Sequence, residues 1–194
     1  MPKIKTKRRP SPKPPTVYAF IDSQNLNLGT SKNIYKNGKL VYPGWKLDYQ
    51  KFRIYLRDKF HVNQAYLFIG YLASNKKLYT YLKRCGYTLV FKPTTKDSQG
   101  KAKGNIDAEL VLYAAKITFD DFDKAVIVSG DGDFYCLHDY LVKQKKLLHI
   151  IIPNKKSESS LLRRFQAYKI FIFREKQKLI QEANKNGRRG ALSQ

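Results

Sequence analysis

Short apolar runs alternate with amphipathic segments along most of this 194-residue chain. The apolar runs have the length and the β-branched or aromatic content of buried strands, and the segments between them repeat apolar residues at helical spacing. The predicted strands are 17–21, 65–71, 87–91, 125–128, 147–152 and 170–173. Strands that alternate with helices every ten to fifteen residues or so predict an α/β fold: a mostly parallel sheet of five to six strands with helices on both faces.

The sequence divides into three predicted parts. Residues 1–16 form a basic, proline-rich arm without acidic residues, which is predicted to be disordered. Residues 17–174 form the folded domain, and 175–194 form a charged helix that ends in a basic tail. Within the domain, helices are predicted over 48–60, 75–84, 106–117, 134–143 and 157–168, with an excursion or hairpin over 30–44 and a polar loop over 93–103.

The chain carries a large excess of positive charge. Its 38 Lys and Arg residues against 15 Asp and Glu residues give a net charge of +23. A polyanion is the natural partner of such a protein, and nucleic acid is the commonest one. RNA is the expected partner, while DNA and a homodimer stay open; an anionic membrane surface is disfavoured because no segment has the pattern of a membrane anchor. A merely solvated basic surface is the plain alternative.

The two cysteines and three histidines do not form a metal-binding pattern. Cys85 and Cys136 lie far apart in segments that are predicted to be helical, where we expect buried thiols in a reducing compartment. No apolar run is long enough to span a membrane, and no secretory leader follows the basic start. The sequence therefore predicts a cytoplasmic protein.

Carboxylates follow two of the predicted strands. The run 125–128 leads into Ser129-Gly130-Asp131-Gly132-Asp133, and the first strand ends on Asp22. Ligands of parallel sheets bind outside the carboxyl ends of the strands, so these side chains are predicted to meet at one edge. Asp107 opens a helix that can return to the same edge. The structural alternative is that Asp131 forms an Asx turn, that Asp133 caps the next helix, and that Asp107 interacts only with its helix dipole.

Several carboxylates at one edge of a sheet require a counter-charge. Two of them about 4 Å apart repel by about 4 kcal/mol at an effective dielectric constant near 20, and a divalent cation removes that cost. Oxygen ligands without histidine or cysteine favour Mg²⁺ or Mn²⁺. A basic protein that collects phosphodiesters around such a site has the electrostatics of a nuclease.

Two other functions are compatible with parts of the pattern. A non-catalytic RNA-binding module would use the same cleft and the basic arms, although a phosphate binder gains nothing from acids in its groove. A dinucleotide-binding enzyme is suggested by Gly130-x-Gly132, but Tyr135 stands where the third glycine would fall.

Three segments resemble the motifs of NYN domains of the LabA-like group, relatives of the PIN-domain nucleases. They are FIDSQNL at 20–26, KGNIDAEL at 103–110 and IVSGDGDF at 127–134, and the resemblance runs in order over about 17–173. It implies a PIN-like Rossmannoid fold and cleavage of RNA that depends on Mg²⁺ or Mn²⁺. The chain departs from the family pattern at 167–170, where many members carry a further Asp.

The resemblance also implies roles for individual residues. The acidic set, both catalytic and metal-binding, would be Asp22, Asp107, Asp131 and Asp133. Asn25 would be a polar residue of the site next to the first strand, and Ser129 would support the acidic turn. In the metal-dependent ribonuclease that we favour, lysines such as Lys103 hold the scissile phosphate.

Overall fold

The computed structural model describes residues 13–92, 95–96, 102–103 and 107–182, with the backbone alone for 95–96 and 102–103. Most of the predicted basic arm, and residues 183–194 of the predicted tail, lie outside the described residues. At the start of the described chain, the Thr16 amide donates to the Asp123 carboxylate at 2.7 Å. None of the helices in these ranges is long and apolar enough to cross a membrane.

A six-stranded parallel sheet forms the centre of the protein. The strands are β1 Val17–Asp22, β2 Ile34–Lys36, β3 Lys39–Tyr42, β4 Val62–Gly70, β5 Thr88–Lys92, β6 Thr95–Lys96, β7 Ala102–Lys103, β8 Lys124–Val128, β9 Leu147–Ile152 and β10 Lys169–Phe171. The central sheet has the order β10-β9-β8-β1-β4-β5 with every neighbouring pair parallel, whereas β2-β3 and β6-β7 form antiparallel pairs. The predicted fold class is confirmed.

Helices cover both faces of this sheet. They are α1 Ser23–Ser31, α2 Tyr49–Phe60, α3 Lys76–Arg84, α4 Asp107–Leu112, α5 Tyr135–Lys143 and α6 Lys176–Leu179. One apolar core contains Phe52 and Leu56 of α2, and the other contains Leu110 of α4 with Leu137 and Leu141 of α5. After Leu112, the chain continues from α4 into a π-helical turn.

The helix α1 was missing from the sequence prediction. Its cap is the Asp22 carboxylate, whose Oδ1 accepts the amides of Gln24 and Asn25 at 3.0 Å each. An aspartate at the cap position and the buried Leu26 four residues later were the available signals. These signals did not lead to a helix prediction, because polar residues surround Leu26 in the sequence and no apolar stripe at helical spacing is present.

The last predicted helix of the domain was wrong in type and in starting point. The segment 157–168 contains the end of a 3-10 turn and then a 3-10 helix, Ser160–Tyr168, which is capped by Ser159 and kinked at Phe165. The cap of this helix is Ser159, two residues after the predicted start, while Glu158 pairs with the buried Lys169.

The segment that follows β10 was predicted as a charged helix that ends in a basic tail. The described part of α6 has four residues, and Ile180 then pairs with Leu47 in an antiparallel bridge. Leu179 is buried, and the Gln181 amide donates to the Lys46 carbonyl at 2.9 Å, so the chain stays against the domain up to this residue.

The cysteines are less buried than expected. Cys85 is half-buried and Cys136 is exposed, and both are free thiols. The prediction of two buried thiols was wrong because Cys136 lies on the outer face of α5.

The excursion predicted over 30–44 is a hairpin, β2-β3, whose base is fixed to the core. The turn residues Asn37 and Gly38 both have positive φ, as a two-residue hairpin turn requires. At the base, the amide of the buried Trp45 donates to the Thr30 carbonyl at 2.8 Å, and its indole donates to the Tyr42 hydroxyl at 2.7 Å. Gly44 allows this closure, since a Cβ there would lie 1.9 Å from the Ser31 carbonyl oxygen.

Gly44→Ala is therefore expected to lower the free energy of unfolding by about 1–3 kcal/mol, because the new methyl group must push the hairpin base away from α1. Urea denaturation, followed by the fluorescence of the single tryptophan, measures this loss. Gly38→Asn is the control: a Cβ there meets nothing within 4 Å, and asparagine tolerates positive φ, so the change should stay below about 1 kcal/mol. Equal losses in the two variants would contradict the role of Gly44.

Candidate functional site

The carboxyl edge of the sheet brings the first and last sequence motifs together. β1 and β8 are neighbours, and their register pairs Ile21 with Val128. Asp22 follows Ile21 and Ser129 follows Val128, so Asp22 and Ser129 lie side by side where the two strands end. From β1 the sheet extends to β4 on one side and to β8 on the other, which is the position where α/β sheets bind ligands.

Asp22 is almost fully enclosed, with 5% of its surface exposed. Burial is the main reason that its pKa is raised from 3.8 to about 6, and the charges of Asp107 and Asp131 add to the increase. The amides of Asn25 and Gln24, which donate to its Oδ1, act in the opposite direction. A buried carboxylate with this pKa is ionised at neutral pH only at a cost in folding energy.

The acidic turn after β8 is attached to β1 and α1 by two polar side chains. The buried Ser129 accepts the Asp131 amide at 3.1 Å and directs its hydroxyl to Asp22 Oδ2 at 3.5 Å. Asn25 Oδ1 accepts the Gly130 amide at 2.9 Å. These contacts fix the position of Asp131 relative to Asp22.

Asp131 also has a structural role. Its Oδ1 accepts the Asp133 amide at 3.0 Å, which is the Asx-type turn that the structural alternative predicts. Asp133 itself does not cap α5, whose first turn has no side-chain cap. The second oxygen of Asp131 receives no hydrogen bond from the described residues, and Asp131 borders the pocket described next.

Three of the predicted acids border one pocket. Asp22, Asp107 and Asp131 come from β1, α4 and the turn after β8, and they line a cavity of about 420 Å³. Burial, followed by the charges of Asp131 and Asp133, raises the pKa of Asp107, while Lys92 at the end of β5 lowers it. Asp133 is exposed and borders a second pocket, which it shares with Asp107. Asp133 thus lies on the rim, close enough to Asp107 to repel it.

Of the remaining pocket wall, only Asn25 was expected from the sequence, through the family resemblance. One helical face of α1 contributes Asn25, Leu28 and Gly29, with Lys32 just beyond the helix, and Gln24, Ile34, Asn154 and Ser157 complete the lining. The spacing of 25, 28, 29 and 32 is that of one helix face, and because α1 was not predicted, this face was not recognised.

Asn154 follows β9 at the same edge of the sheet. It is 2% exposed, and its Oδ1 accepts the Lys156 amide at 2.8 Å. Its Nδ2 is buried without a hydrogen-bond partner among the described residues. The sequence signal that could have identified Asn154 as a site residue is its position just after an apolar strand, which is the same signal that identified Asp22.

The predicted phosphate contact of Lys103 stays a prediction. The backbone of Lys103 pairs with Thr95 in the β6-β7 ribbon, but its side chain lies outside what the structure describes. Among the described cations, Lys32 lines the pocket itself and Lys92 acts on Asp107.

The position of the absent late aspartate contains an ion pair. Lys169, the first residue of β10, pairs with Glu158, and their side chains are 2% and 13% exposed. This pair holds the segment that carries Asn154 and Ser157 against the acidic turn, where the Ser159 amide donates to the Gly130 carbonyl at 3.1 Å. Glu158 is therefore neutralised by Lys169.

The acids are near one another but do not form a closed ligand shell. Within the described ranges, no three histidine, cysteine, aspartate or glutamate side chains lie close enough together to hold a metal ion. The pocket and the pKa shifts nevertheless show that Asp22, Asp107 and Asp131 interact electrostatically. Mutual repulsion favours this separation.

Comparison with solved structures supports the fold. The chain is similar to the crystal structure of a protein of unknown function from Vibrio parahaemolyticus RIMD 2210633, with a TM-score of 0.63 and 21% sequence identity. The match covers 86% of this chain and 96% of the other. At this identity the similarity establishes the fold alone. No curated protein sequence matches the chain.

Comparison with protein families identifies the domain. The sequence matches the model of the NYN domain over residues 16–173, which includes all six strands of the central sheet and the three motifs. An NYN domain is a nuclease-type module of the PIN-like kind, and the three acids of the pocket lie within the matched region. The chain therefore belongs to the NYN domain family.

Proposed function

We propose that this NYN domain is a metal-dependent ribonuclease that hydrolyses RNA phosphodiester bonds at the pocket bordered by Asp22, Asp107 and Asp131. The observation that carries the proposal is the meeting of these three carboxylates, from three separate elements, at the carboxyl edge of the sheet. The raised pKa values of Asp22 and Asp107 indicate that the site holds more negative charge than the protein alone stabilises. The net charge of +23 would attract the RNA.

The donor set fits Mg²⁺ or Mn²⁺. Asp22, Asp107 and Asp131 supply hard oxygen atoms, and the described lining contains no histidine or cysteine. Asp133, on the rim beside Asp107, would hold a second cation or orient the attacking water. A bound cation would stabilise the charge that develops on the phosphate and would make a nearby water more acidic.

The remaining residues of the site would position the substrate. Hydrolysis forms a bond from a water oxygen to phosphorus and breaks the bond to one ester oxygen, which leaves with a proton. Asn25 and Ser129 would keep the acidic turn in place through their hydrogen bonds to Gly130 and Asp131. Lys103 and Lys32 would bind the phosphate and its neighbours along the strand.

A non-catalytic RNA-binding module is the second candidate, and two observations favour it. The described acids do not gather into a metal-holding group, and the late aspartate of the family is replaced by a segment whose Lys169 neutralises Glu158. The pocket and the basic surface would then bind RNA without cleaving it.

Two finer assignments belong to the same proposal. The three motifs resemble those of the LabA-like group, and we assign the chain to that group of the family. A cytoplasmic location agrees with the two free cysteines of the described chain.

Asp131→Asn is expected to lower the rate of RNA cleavage at least about 100-fold, because it removes a charge from the cation-binding set. Its affinity for RNA should stay equal or rise, since a repulsive carboxylate is lost. The measurement is incubation of the purified protein with end-labelled single-stranded RNA in Mn²⁺, in Mg²⁺ and in EDTA.

Asn keeps an oxygen that can accept the Asp133 amide, so the turn survives and a loss of activity reports on the charge. Asp120→Asn is the matched control, because Asp120 is an exposed carboxylate in the turn before β8, at the opposite edge of the sheet. Binding without cleavage by the wild type in every metal condition would overturn the nuclease and support the binding module.

The raised pKa of Asp22 predicts a pH dependence of stability in the absence of metal. Because the folded protein holds the Asp22 proton more tightly than the unfolded chain, this group stabilises the fold most below pH 4 or so. That stability is lost as the pH rises through about 6, and the shift corresponds to about 3 kcal/mol. Urea denaturation in EDTA at several pH values measures the free energies of unfolding of the wild type and Asp22→Asn, and the difference between them should change by this amount over the pH range. A difference that is independent of pH would contradict the raised pKa of Asp22.

A further inference from the structure

The β2-β3 hairpin carries a concentration of positive charge beside the pocket. From residue 23 to residue 47 the chain contains four lysines and no acidic residue. The lysines are Lys32, Lys36, Lys39 and Lys46. Lys32 and Ile34, at the foot of the hairpin, line the same pocket as the three acids. The hairpin is therefore continuous with the proposed active site.

The two faces of the hairpin differ in chemistry. Lys36 lies two residues beyond Ile34, about 7 Å further along β2, and a register shift separates the Ile34 pair from the pairs nearer the turn. Lys36 and its cross-strand partner Lys39 lie on one face of the ribbon. The opposite face carries the pair Tyr35 and Leu40, which are 60% and 49% exposed.

Lys36 and Lys39 stand directly opposite each other at the end of the ribbon. Like charges in this position destabilise a sheet, and neither lysine forms an ion pair with a residue that the structure describes. An anion placed between them would remove that cost. The base of the hairpin, closed by Trp45 and Gly44, is attached to the end of α1 and so positions the ribbon beside the pocket.

We propose that this lysine face of the hairpin binds the phosphates of single-stranded RNA as the strand leaves the pocket. The inference rests on the proposed function and extends it, since it assigns the path of the substrate: past Lys32 and Ile34, then between Lys36 and Lys39. A single strand fits because its phosphates are contacted one after another along a basic track, without the width that a duplex needs. A protein partner, including a second copy of the chain, would instead use the apolar Tyr35–Leu40 face.

The test compares the affinities of variants for labelled single-stranded RNA by fluorescence anisotropy, from about 50 to about 200 mM salt. All proteins carry Asp131→Asn and are measured in EDTA, so that cleavage does not interfere. The double variant Lys36→Gln, Lys39→Gln should bind about 20-fold more weakly near 0.1 M salt, and its salt slope should fall by about 1.4, because two single-strand phosphate contacts are lost. Its resistance to urea should be equal or higher, since the repulsion between the lysines is removed.

Lys83→Gln, Lys143→Gln is the control that removes the same net charge from the last turns of α3 and α5, at the opposite edge of the sheet. Tyr35→Ala tests the other face of the hairpin. The proposal predicts a small effect for the first control and none for the second. It is overturned if the hairpin variant loses no more affinity and salt slope than the control variant. It is also overturned if Tyr35→Ala alone weakens RNA binding or dissociates a dimer.

The experiments distinguish a failure of this RNA path from a failure of the proposed nuclease activity. A wild type that never cleaves RNA, with a hairpin variant that loses affinity and salt slope, would reject the nuclease and keep the RNA path. Cleavage by the wild type with unaltered binding in the hairpin variant would keep the nuclease and reject the path.

Discussion

The hydrogen bonds that fix the acidic turn to the first strand are the constraint on which the site depends. Asn25 accepts the Gly130 amide, and Ser129 lies between Asp131 and Asp22. Without these contacts, carboxylates that raise each other's pKa would move apart into solvent. The protein instead keeps a nearly buried aspartate beside two others, which is costly unless a cation joins them.

Local patterns were sufficient to predict the sheet. Each buried strand is a short β-branched or aromatic run, and the central strands carry few polar residues, so periodicity and length identified all six. The helix α1 was missed because its start depends on the Asp22 cap and its sequence has no apolar stripe. The segment after β9 was predicted as a helix, but its cap is Ser159 and it has 3-10 geometry.

The site was predicted in part. The sequence placed Asp22 and Asp131 at strand ends, and the rule for parallel sheets brought them to one edge. The opposite wall could not be inferred, because it requires α1 to lie over the end of β9, where Gly29 approaches Pro153 so closely that a Cβ would be 2.6 Å away. The unpartnered amide of Asn154 and the position of Lys32 are products of that packing. The side chain of Lys103 lies outside the described residues.

The central claim is that the acidic pocket binds a divalent cation. Titration of the metal-free protein with Mn²⁺ in a calorimeter tests it most directly, without reference to any substrate. The account predicts saturable binding in the wild type and in Asp120→Asn, and a loss of that binding in Asp131→Asn. Equal binding in all three proteins, or none in the wild type, would contradict it.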